Sequence, residues 1–260
     1  MKKLTLIAIA VLALAATASA TTLTETFDRT FDVRPGANFT LENTNGHMTV
    51  RSWDQPRVRV VAEKRVESRD ADAAKKAFAE LRVEPTLAAD GLHVVTRYPK
   101  AADGGLFDWL AGTNVSVTVN YEITVPRSMN VDLDNTNGAI DISDVRGAIH
   151  VSNTNGHIEL VHCAGSVDAD TTNGHIKAEM TEVMGKGVKL ETTNGRITVA
   201  LPRAISARVD AETTNGRINT DLPIATTRSE KTAVRGTING GGGADVKLRT
   251  TNGSIDIQAR

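Results

Sequence analysis

The chain has 260 residues, 40% of them hydrophobic and 23% charged, with a formal net charge of −1. That composition excludes wholesale disorder and gives no general pull toward nucleic acid or anionic membrane. Aromatics are only 3% and all lie at or before Tyr121, so the second half must close a thin core with small aliphatic side chains.

Met1-Lys2-Lys3 opens the chain, an apolar run covers 4–16, and Ala18-Ser19-Ala20 follows. A charged start, a short apolar stretch and an A-x-A site form the pattern of a cleaved secretory signal over residues 1–20. Cleavage removes Lys2 and Lys3 and no acid, leaving 28 basic against 31 acidic residues. No later apolar run is long enough to span a bilayer, so the exported chain, periplasmic or secreted, is expected to lack a transmembrane segment.

Residues 21–126 read as one early repeat plus a small N-terminal α/β cap. Phe39-Thr40-Leu41 leads into Asn43-Thr44-Asn45-Gly46, then His47-Met48-Thr49-Val50. Val58, Val60 and Ala62 alternate as a strand does. Ala73, Ala74, Ala77, Phe78 and Leu81 recur at helical spacing, which predicts a helix over 70–81 with Ser68 or Asp70 at its start. Residues 92–95 and 115–125 read as strands. Between them, Leu106-Phe107-Asp108-Trp109-Leu110 forms an apolar cluster. It reads as part of the cap, or else as a partner- or membrane-facing patch anchored by Phe107 and Trp109.

Residues 127–260 are dominated by a repeat. Thr/Asn-Thr-Asn-Gly ends at Gly46, Gly138, Gly156, Gly174, Gly195, Gly216 and Gly253, and from Gly138 to Gly216 the spacings are 18, 18, 21 and 21. Each turn is followed by alternating segments such as Ala139-Ile140-Asp141-Ile142. The pairs Asn45-Gly46, Asn137-Gly138, Asn155-Gly156, Asn173-Gly174, Asn194-Gly195, Asn215-Gly216 and Asn252-Gly253 read as a structural turn ladder, the glycines supplying the positive φ of a tight turn. An antiparallel meander fits the Asn-Gly turns but leaves one apolar face uncovered. A mainly β fold with a β-solenoid of 18–21-residue coils, parallel β-helix-like, covers its own core and is expected here.

The turn flanks carry charge. Four residues before the turn glycine stand Glu42, Asp134, Ser152, Asp170, Glu191, Glu212 and Arg249. One residue after it stand His47, Ala139, His157, His175, Arg196, Arg217 and Ser254. Stacked coils would set an acidic column beside a basic one, in which His157, His175, Arg196 and Arg217 could form an anion-binding strip. Mutual charge compensation of the two columns is the simpler account. A metal shared by His157 and His175 lacks further ligands at metal-site spacing, and no metal or cofactor is expected. Cys163, the only cysteine, reads as a small buried hydrophobe. Nucleophile-elbow and phosphate-loop motifs are absent, so no catalytic residue is assigned.

The run from Asn45 to Asp54 (Asn-Gly-His-Met-Thr-Val-Arg-Ser-Trp-Asp), the Val125-Pro126 step, the serial Thr-Asn-Gly turns and the glycines at 240–243 carry a resemblance. Over nearly all of 21–260 the chain resembles the bacterial "putative adhesin" family of β-strand-repeat proteins, a domain-of-unknown-function family. The resemblance implies envelope association and brings no catalytic motif. The expected function is a non-catalytic, exported, monomeric interaction or scaffold protein whose partner is a cell-envelope component. The alternative is a polysaccharide-acting hydrolase or lyase on a β-helix scaffold, because carboxylate pairs need no linear motif.

Overall fold

The computed structural model describes residues 20–34, 36–99 and 115–260; the signal-like segment over 1–19 and the Phe107/Trp109 cluster lie outside them. The described residues are mainly β. The first part of the chain forms β1 (Thr21–Asp32), β2 (Asn38–Glu42), β3 (Met48–Trp53), β4 (Arg57–Ser68), α1 (Ala71–Glu80), β5 (Arg82–Leu87), β6 (Gly91–Arg97) and β7 (Val115–Pro126). The turn repeats follow as β8 (Asn130–Asn137), β9 (Ile140–Ser143), β10 (Arg146–Asn155), β11 (Ile158–Asn173), β12 (Ile176–Asn194), β13 (Ile197–Leu201), β14 (Ala207–Asn215) and β15 (Ile218–Thr220). A hairpin of β16 (Ala225–Glu230) and β17 (Ala233–Ile238) precedes β18 (Ala244–Asn252) and β19 (Ile255–Ala259).

Successive repeats pair in parallel, which sets aside the meander. Before the turns, β6, β2, β8, β10, the second half of β11, the second half of β12, β18 and β14 lie side by side. After the turns, β7, β3, β9, the first half of β11, the first half of β12, β13, β19 and β15 do the same. Antiparallel strands finish the ladders: β5 beside β6, β4 and β1 beyond β7, and β17 beside β14.

The alternation read in the sequence sets the core. One ladder buries Met48, Ile140, Ile158, Ile176, Ile197 and Ile255; the other buries Leu41, Leu133, Val151, Ala169, Leu190 and Leu248. Each buried Val, Leu, Ile or Met of these rows contributes about 1.5–3 kcal/mol. Helix α1 begins at the N-cap Asp70, whose carboxylate accepts from the N–H groups of Asp72 and Ala73 at 2.9 and 3.1 Å. It buries Ala74 and Ala77 against β4, β1 and β7.

The expected positive φ is found at Gly46, Gly138 and Gly156, at 138°, 131° and 146°, but not along the whole ladder. No turn asparagine has positive φ, and Gly174, Gly195, Gly216 and Gly253 lie outside the left-handed region as well. What demands glycine is close approach. A Cβ on Gly138, Gly156, Gly174, Gly195, Gly253 or Gly216 would overlap the glycine carbonyl oxygen of the preceding repeat in the stack. Each turn asparagine donates its side-chain amide to the next, Asn215→Asn252→Asn194→Asn173→Asn155→Asn137→Asn45, at 2.7–2.9 Å. The first motif residue is buried and bonds that same glycine carbonyl, as Asn153 does to Gly138 and Thr192 to Gly174, both at 2.9 Å.

Chain order and stacking order part at the C-terminus. The last repeat, β18 and β19, sits between the Gly195 repeat and the Gly216 repeat, so Gly195 N–H donates to Asn252 and Gly253 N–H to Asn215. Two sequence features account for this. Ile255 and Ile257 fill both inward positions of β19 and are buried, whereas β15 offers Ile218 and the exposed Thr220, which suits only an edge. Arg249 falls between Glu191 and Glu212 in the acidic column, where direct stacking would put the two glutamates together.

Candidate functional site

The four residues of the proposed strip all project from the post-turn side. His157 and His175 stack with ring centroids 4.9 Å apart and planes 3° from parallel. Arg196 follows and reaches Asp256 at 3.7 Å, but Ser254 separates it from Arg217, because the last repeat is inserted there. The acidic column does not neutralise these groups across the turns. His157 and Arg196 instead each lie 3.7 Å from an acid two residues further along the same side, Asp141 and Asp256; in the same rows Asp141 is 3.1 Å from His47 and Glu159 is 2.6 Å from Lys177. The Lys177 ammonium holds the Glu159 carboxyl below its ordinary value.

Burial first, and the neighbouring His157 second, push the His175 imidazole below its ordinary value of 6.5. Glu159 acts in the opposite direction and Lys177 in the same one. A histidine whose folded value is lowered favours the neutral ring, so its stabilising effect is complete above the unfolded value and fades as pH falls through it. Acidification from about pH 8 to about pH 5 should therefore lower the Tm, and His175→Gln should remove part of that drop in a thermal melt. Cys163 is fully buried, and burial pushes its thiol up to about 11.

A larger feature lies on the pre-turn ladder and was not singled out in the sequence. A trough of about 600 Å³ runs across β6, β2, β8, β10, β11, β12 and β18. Its floor is the outward row Thr40, Asp132, His150, Asp168, Lys189 and Lys247, placed side by side by register. Each stands six residues before a turn glycine, a spacing that could have revealed the row. Asn38 and Asn130 line the same trough and bond to each other at 3.0 Å. Lys189 is held by Asp168 at 3.2 Å and by Glu191 at 3.3 Å.

At one end the Thr40 hydroxyl lies 2.7 Å from His93 Nδ1, and His93 Nε2 lies 3.0 Å from Asp90. The His93 ring beside it holds the Asp90 carboxyl below its ordinary value. The connectivity is that of a hydroxyl–imidazole–carboxylate triad. Yet β2 is paired on both sides, with β6 and β8, so its backbone N–H groups are committed to the ladder and make no oxyanion hole. The acids Asp132 and Asp168 share one floor row with His150 between them, two strand steps or about 10 Å apart.

The profile of the Toastrack DUF4097 family matches residues 110–258. Among curated proteins none matches. The chain is similar to the crystal structure of a "putative cell adhesion protein" from Clostridium sporogenes, with TM-score 0.50 and 12% identity over 91% of this chain and 100% of the other. A "putative adhesin" from Bacteroides fragilis aligns with TM-score 0.37 and 11% identity over 91% and 97% of the two chains. The first of these shows a shared fold. Among the described residues no helix is long and apolar enough to cross a membrane.

Proposed function

The chain belongs to the Toastrack DUF4097 family, and from that premise we propose that it is a non-catalytic binding and scaffold module of the cell envelope. In this reading residues 1–20 are a signal peptide; β1, beginning at Thr21, fits a mature chain that starts there. Residues 21–126 supply the first coil and an α/β cap, and residues 127–260 supply the remaining coils of a β-solenoid. The observation that carries the reading is the trough. It presents polar side chains from consecutive repeats on a floor whose backbone is already paired, so little must be ordered when a ligand arrives. The adhesion description of the Clostridium sporogenes structure supports the same role.

Co-sedimentation with isolated cell-wall sacculi and outer-membrane vesicles tests the reading. Saturable pelleting is expected, weakened about tenfold by His150→Ala with Asp168→Asn. It should change little in Arg217→Ala, whose residue lies away from the trough. No pelleting with either material would overturn envelope binding.

A further inference from the structure

We propose that the trough holds a linear glycan laid along the stack, about one sugar per repeat, with an acidic group of the ligand at its Lys186–Lys247 end. The inference rests on the envelope-binding reading and names the ligand class for that same site. The direction of the trough comes first. From His93 on β6 to Lys247 on β18 it crosses seven strands, six steps of ~4.8 Å or about 29 Å along the stack. A pyranose advances an extended glycan by nearly the rise of one repeat, so each sugar would meet an equivalent shelf. A bound peptide strand needs free backbone donors and acceptors at a sheet edge, and the floor strands are paired on both sides.

The chemistry of the floor comes second. Thr40, Asn38, Asn130, Asp132, His150 and Asp168 offer donors and acceptors suited to sugar hydroxyls. The row then turns to Lys189 and Lys247, and the one acid lining that end, Asp245, is 3.7 Å from Arg208. Lys189 is taken up by Asp168 and Glu191, but Lys186 and Lys247 form no ion pair among the described residues.

The third observation is how Lys186 reaches the site. The spacing from Gly174 to Gly195 is 21, three more than the two spacings before it. The register places the extra residues: Ser166 alone on β11 faces Met184, Gly185, Lys186 and Gly187 on β12. Gly185 and Gly187 have φ of +61° and +83°, and a Cβ on Gly187 would overlap the carbonyl of Asp245. Two left-handed glycines thus form a bulge in β12 that sets Lys186 in the trough's lining. Insertions within one repeat of a stacked array commonly map to its binding face.

The probes are cellohexaose and chitohexaose, together with the same oligosaccharides oxidised at the reducing end to a single carboxylate. Titration calorimetry of the mature protein is expected to show affinity rising from the disaccharide to the hexasaccharide and then levelling. At least one oxidised hexasaccharide should bind about tenfold tighter than its neutral parent. That advantage should vanish in Lys186→Gln/Lys247→Gln and in high salt, while binding of the neutral parent persists. Equal affinity of acid and neutral forms, no dependence on length, or no binding of any of the four overturns the inference. Sacculus pelleting of the same preparation separates the two readings. Pelleting without oligosaccharide binding removes the glycan and leaves envelope binding standing; loss of both removes both.

Discussion

Gly174→Ala is expected to lower folding stability by about 3 kcal/mol, read as a fall in the urea midpoint at unchanged slope. Gly174 lies outside the left-handed region, so backbone strain does not enter and the effect isolates close approach. A methyl there meets the carbonyl oxygen of Gly156 and crowds His157 N. Relief requires the two repeats to separate, and separation breaks the other bonds of the corner. Gly156 N–H donates to the Asn173 carbonyl at 2.9 Å, Asn173 donates its side-chain amide to Asn155 at 2.9 Å, and Thr171 donates to the Gly156 carbonyl at 3.2 Å. Gly242→Ala is the matched control. Nothing lies within 4 Å of the Cβ it would add, and its stability should stay within about 0.5 kcal/mol of the parent. A Gly174→Ala protein as stable as the control would show that the turns carry slack.

The repeat unit was legible because its signals are local. Asn-Gly turns spaced 18 or 21 residues apart from Gly138 to Gly216, with two inward aliphatics after all but the Gly216 turn, dictate a strand on either side, and the absence of aromatics beyond Tyr121 dictates a thin core. The helix was legible for the same reason, since Asp70 and the spacing of Ala74 and Ala77 are local signals. The positive φ of Gly46, Gly138 and Gly156 was legible too, but the close approach at every turn was not, because a steric demand made by the neighbouring repeat leaves no mark on a chain read one unit at a time. The trough was half legible. Its row from Thr40 to Lys247 recurs six residues before each turn, but His93 and Asp90 arrive from β6 and its preceding loop, outside any turn motif. The strip of His157, His175, Arg196 and Arg217 was read as continuous on the premise that sequence order is stacking order. Ser254 interrupts it because that premise fails at the last repeat.

Removing residues 244–260 tests the consequence of that inserted repeat. These residues form β18 and β19, and their loss takes Val246, Leu248, Ile255 and Ile257 out of the middle of the stack, not off its end. Each is fully buried and contributes about 1.5–3 kcal/mol, so the shortened chain should lose much of its cooperative stability. Hydrogen exchange is expected to show lost protection across β14 to β17 and at β13, with β8 to β11 keeping theirs, since these pair only among themselves and with β2, β3 and β12. The competing outcome is that β14 and β15 close the gap by stacking directly on β12 and β13. That arrangement sets Glu191 beside Glu212, removes the intervening Arg249, and lays Thr220 against the buried Val199. Both changes oppose it: like charges opposed on adjacent strands repel, and a half-buried hydroxyl without a partner is costly. Retained protection over 207–215 in the shortened chain would mean that the gap does close, and that charge and patterning do not decide the order of the repeats. A milder variant asks the same question with the chain intact. Arg249→Glu places a third acid between Glu191 and Glu212, and its stability loss should shrink as salt is added, whereas the loss from truncation should not.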